Sequence, residues 1–85
     1  MRREPDFFHD QEMDLLFIAK KLRDATSIEG VLDTAGLDYA VEPDKYQGGV
    51  VFRTERIGAF FYVLPDQLEK AQKVLRENGW KPHEL

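Results

Sequence analysis

The chain has 85 residues, 42% hydrophobic and 33% charged, with no cysteine and a formal net charge of −4. This is the composition of one small globular domain, and without cysteine it has no disulfide scaffold, thiolate nucleophile or cysteine-bound zinc. The excess of carboxylates opposes approach to a phosphate backbone, which disfavours non-specific nucleic-acid binding, and no apolar run reaches the ~20 residues of a membrane span; a cytoplasmic protein is the expectation.

Residues 1–12 are rich in charge and have no hydrophobic period, and their two arginines precede no apolar run of the kind found in a secretory signal. They read as a flexible arm, with 13–85 as a single α+β domain. Phe7 and Phe8 stand out within the arm. Adjacent rings of this size need a seat, on their own domain or on a partner.

Asp14 to Arg23 is ambiguous by pattern, since Leu15, Ile18, Ala19 and Leu22 fall at helical spacing. Leu15-Leu16-Phe17-Ile18 equally suits a strand buried on both faces, and strand is the reading taken, because a helix start follows closely. That start is Thr26 with Glu29 three residues on, the spacing of a capping box. Ile28, Val31, Leu32 and Ala35 then form an apolar stripe. Gly36 supplies the left-handed residue of a Schellman ending, with Leu37 packing back on Leu32. A short strand is expected over 37–42, and Pro43 to Gly49 reads as turn chemistry.

Gly48 to Pro65 is the most strand-like stretch. It reads as two strands, about 49–54 and 57–64, turning at Glu55-Arg56. Both faces of the second are apolar, with Ala59, Phe61 and Val63 on one and Phe60, Tyr62 and Leu64 on the other. Asp66 and Glu69 repeat the capping spacing; Leu68, Ala71, Val74 and Leu75 make a second stripe; Gly79 ends that helix, and Trp80 to His83 reads as a last edge strand limited by Pro82. VLDTAGL at 31–37 and VLRENGW at 74–80 are thus two copies of one ending. The implied fold class is α+β, a ferredoxin-like antiparallel sheet with two helices on one face and an extra hairpin strand.

AGLDYAV followed by FYVLPDQLEKAQKVL resembles a small bacterial family of signal-transducing domains with a ferredoxin-like or PII-like fold, over about residues 28–75. The resemblance implies the fold and a regulatory role, and carries over no functional residue.

Chemistry-bearing motifs are sparse. His9, Asp10 and Glu12 read as a solvated tail rather than a metal site. Gln47 to Arg53 faintly echoes the phosphate cradle of acylphosphatases, but no helix follows it to receive a phosphate. Arg56 to Val63 echoes an RNA-recognition strand, with its glycine one place late and only Phe17 as a partner aromatic. Arg53 and Arg56 form the one cluster suited to a small anion, and with it the alternative of a ligand-binding domain or enzyme. The favoured reading is a non-enzymatic binding or regulatory module without metal or cofactor. Two helices cover one sheet face, so the other needs an interface. Phe7, Phe8, Phe17, Phe60 and Tyr62 are its candidate residues, in a homodimer or against another protein.

Overall fold

The computed structural model describes residues 1–47 and 55–83. Among them are three strands and two helices in the order β1 (Asp14–Ala19), α1 (Leu22–Thr34), β2 (Ala40–Gln47), β3 (Glu55–Val63) and α2 (Leu68–Glu77). Single 3-10 turns lie at Pro5–Phe8 and Pro65–Gln67. The sheet is antiparallel in the order β1-β3-β2, with β3 in the centre. This is an α+β fold with a ferredoxin-like arrangement. Asp14 to Ala19 is a strand, the reading taken for a run ambiguous by pattern, although the helix start that decided it lies at Leu22 and not at Thr26.

The core lies between one sheet face and both helices. Leu16 and Ala19 from β1, Phe61 and Val63 from β3, Ile28 and Leu32 from α1, and Ala71 and Leu75 from α2 are all buried in it. Val41, Phe17 and Trp80 pack against its margin. Strand alternation alone would place Leu16 and Phe17 on opposite faces. A bulge intervenes: Leu15 pairs with Tyr62 and Phe17 with Phe61, leaving Leu16 as the extra residue. Leu16 and Phe17 therefore both serve the helix side, where Phe17 meets Trp80 edge-to-face at 5.7 Å. Leu15 and Ile18 take the other face, in register with Tyr62 and Phe60.

The helix endings match their sequence signals. Gly36 has φ +73° and Gly79 φ +83°, where a side chain would be strained. Leu37 N–H donates to the Leu32 carbonyl at 3.1 Å, and Trp80 N–H to the Leu75 carbonyl at 2.9 Å. These are the same bond in the two copies of one motif.

The helix starts differ from expectation. α1 begins at Leu22 behind an extended Lys21 with no side-chain cap. Thr26 lies inside the helix, its hydroxyl donating to the Leu22 carbonyl at 3.1 Å, so the capping box does not form. Burial of Ala25 beside Ile28 and Leu32 extends the apolar stripe one turn backwards and accounts for the longer helix. α2 is entered through the Pro65–Gln67 turn, without a side-chain cap from Asp66.

The hairpin also differs. Glu55–Val63 is one continuous strand with no turn at Glu55-Arg56, and its partner is β2, with Gln47 opposite Glu55. The expected extra strand at 49–54 falls outside the described residues. Residues 43–47, read as a turn, belong to β2. Pro43 is tolerated because of its position. Tyr39 directs both backbone groups outward, to Met1 and Arg3, so two-residue alternation puts Val41 and Pro43 outward as well. The missing N–H of Pro43 thus faces the edge and costs the β2–β3 ladder nothing.

Trp80 to His83 is no strand: its tie to β1 is the bond from His83 N–H to the Leu16 carbonyl, 2.8 Å, at the bulge. Pro82, buried, cannot donate to a ladder.

Phe61 is fully buried near the C-terminal end of β3, whereas Leu22 is 85% exposed at the start of α1. Phe61→Ala is expected to cost about 3–5 kcal/mol, and Leu22→Ala less than ~0.5 kcal/mol. Urea unfolding followed by circular dichroism measures both; equal costs would contradict this packing.

Candidate functional site

The face opposite the helices is built by register. One row across the sheet is Leu15, Tyr62 and Ala40; the next is Ile18, Phe60 and Glu42; Gly58 and Asp44 follow. Its centre is apolar and its β2 margin acidic. Ala40, Gly58 and Phe60 are buried, Leu15, Ile18 and Tyr62 half-buried, and Glu42 and Asp44 exposed.

The N-terminal segment reaches this face. Phe8 is only 3% exposed. It lines a cleft of about 340 Å3 with Asp10, Gln11, Met13, Ala40, Glu42 and Tyr62. A second cleft, about 510 Å3, includes Tyr62, Met13, Leu15, Leu68, Arg76 and His83. Tyr62 and Met13 thus border both. The Tyr62 hydroxyl is pushed above its ordinary pKa, first by burial and then by the charges of Glu42 and Asp44.

Residues 1–3 anchor the same segment at the start of β2. Arg2 forms a parallel bridge with Tyr39. Arg3 N–H donates to the Tyr39 carbonyl at 2.8 Å. The Arg3 guanidinium donates to Asp38 at 2.9 Å, and that of Arg2 lies 3.5 Å from Glu29. Beneath them the buried Tyr39 hydroxyl donates to Asp33 at 3.0 Å.

The five candidate interface residues therefore divide. Phe60 and Tyr62 lie together on the open face, with Phe8 beside Tyr62. Phe7 is 45% exposed, edge-to-face with Phe8 at 5.1 Å, and carries the Arg3 guanidinium 4.5 Å above its ring. Phe17 is on the helix side against Trp80, carried there by the bulge. Leu15, Ile18 and Ala40 are the members of the face that the sequence did not single out; only the pairing register locates them. Of the anion candidates, Arg53 lies outside the described residues, and Arg56 sits within β3 opposite Tyr46. Among the described residues no group of three His, Asp or Glu side chains is arranged to hold a metal ion, and no helix is long and apolar enough to cross a membrane.

Comparison with protein-family models, curated proteins and solved structures found no match to this chain.

The Tyr39 pKa is held well above its ordinary value by burial first, then by its hydrogen bond to Asp33 and the Asp33 charge. Because the folded value exceeds the unfolded one of about 10, this group contributes stability in full below pH ~10 and loses it as the pH rises further. Tyr39→Phe is expected to cost about 1 kcal/mol at neutral pH and to flatten the loss of stability between about pH 10 and 12. Urea midpoints across that range test this, and parallel curves for parent and variant would contradict it.

Proposed function

We propose that the chain is a small cytosolic, non-enzymatic binding or regulatory module that self-associates through the sheet face opposite its helices, and that it belongs with the bacterial signal-transducing domains that residues 28–75 resemble. The observation that carries the reading is the pair of apolar rows on that face, Leu15, Tyr62 and Ala40 beside Ile18 and Phe60. Side chains of this type are stabilised by about 1.5–3 kcal/mol each on full burial, and Leu15, Ile18 and Tyr62 have reached only part of it. Contiguous apolar surface of this kind marks interfaces.

The rim supports a protein surface rather than a nucleic acid. Asp10, Glu42 and Asp44 border the aromatic pair. Bases would stack well on Phe60 and Tyr62, but the accompanying phosphates would meet carboxylates. In a two-fold dimer Glu42 and Asp44 on β2, with Asp10 of the N-terminal turn beside them, stay at the solvated rim while the apolar rows meet in the centre.

Sedimentation equilibrium at micromolar concentration tests the reading. A dimer mass is expected, and Tyr62→Lys, with its circular dichroism unchanged, is expected to raise the dissociation constant about a hundredfold or more. A monomer mass for the parent, and equally for the Phe7→Ser, Phe8→Ser variant, would show that the face has no need of a second copy.

A further inference from the structure

We propose that the two copies of the dimer exchange their N-terminal arms, so that residues 1–8 of each occupy the seat formed by the other. The proposal rests on the self-association argued above and specifies how it is made. The arm is held at two separated places, at Tyr39 just before β2 and at Phe8, which is buried and lines the cleft beside Tyr62. Each contact is between the arm and the rest of the domain: Arg2 with Glu29, Arg3 with Asp38 and Tyr39, and the buried Phe8, which lines one cleft with Ala40 and Tyr62. An exchanged arm keeps every one of these contacts, because the seat on the second copy is identical.

What exchange alters is the hinge. The closed chain turns back between Phe8 and Gln11, where Gln11 N–H donates to the Phe8 carbonyl at 3.0 Å. The two central residues are His9, φ 53°, and Asp10, φ 59°. Two successive left-handed residues make a turn of the type best served by Asn-Gly. A histidine and an aspartate, both with side chains, hold this backbone at a cost that glycine would avoid. Opening the hinge to an extended path removes that cost while the arm contacts are kept. Short hinges under strain favour exchange for this reason.

The absence of native cysteine allows a direct test. The variant Arg3→Cys, Asp38→Cys is oxidised at a concentration where the parent is dimeric, then analysed by non-reducing electrophoresis beside sedimentation equilibrium. Exchange predicts a dimer mass with the disulfides linking two chains. A dimer mass with the disulfides closed within single chains overturns exchange and leaves the face-to-face reading standing. A monomer mass overturns both. Independently of disulfide formation, His9→Asn with Asp10→Gly relaxes the closed turn and is expected to raise the dimer dissociation constant by about tenfold; an unchanged constant would overturn exchange.

Discussion

The burial of Phe61 is the contact on which the rest of this structure depends. It lies in the central strand, opposite Phe17 on one side and Val41 on the other. Its ring packs in the same cluster as Tyr39, at 5.8 Å between centroids, and both are fully buried. A small domain has little else with which to offset chain entropy. Once Phe61 points at the helices, alternation sends Phe60 and Tyr62 to the other side, so the core and the open face are set by one decision in β3.

The bulge at Leu16 follows from the same requirement. β1 supplies two large side chains, Leu16 and Phe17, to the helix side from adjacent positions. A regular strand could offer only one of them. The extra residue also turns the Leu16 carbonyl towards the C-terminal segment, where His83 N–H reaches it. Thus one irregularity fills the core, seats Trp80 on Phe17 and ties down the chain after α2.

Local chemistry was legible in the sequence where it is decided by a few neighbouring residues. The Gly36 and Gly79 endings are of this kind, since a left-handed residue after an apolar stripe admits few alternatives. So is the two-sided second half of β3. Signals that depend on context misled. Thr26 and Glu29 have capping spacing, yet burial of Ala25 draws the helix back to Leu22. Pro43 reads as a turn residue, and only knowledge of which edge its nitrogen faces shows that β2 can run through it. The interface candidates Phe60 and Tyr62 were visible from alternation within one strand, whereas Leu15, Ile18 and Ala40 needed cross-strand register, and Phe17 changed sides through a bulge that no residue type announces.

The edges of the sheet bear on where the proposed association would take place. Among the described residues β2 is an edge strand, and such strands invite further pairing. Tyr39, just before β2 and facing outward, already exchanges bonds with Met1 and Arg3. Two alternations later Pro43 offers a carbonyl and no donor, so an incoming strand would lose a rung in the middle of the ladder. At the other edge, the Leu16 carbonyl of β1 is occupied by His83. Both edges are therefore obstructed by the chain's own residues, while the broad face between them keeps Leu15, Ile18 and Tyr62 partly exposed. In the proposed dimer a second copy would gain more by covering that face than by extending either edge, and the arm that crosses from the start of β2 to the Tyr62 cleft is placed to join the two.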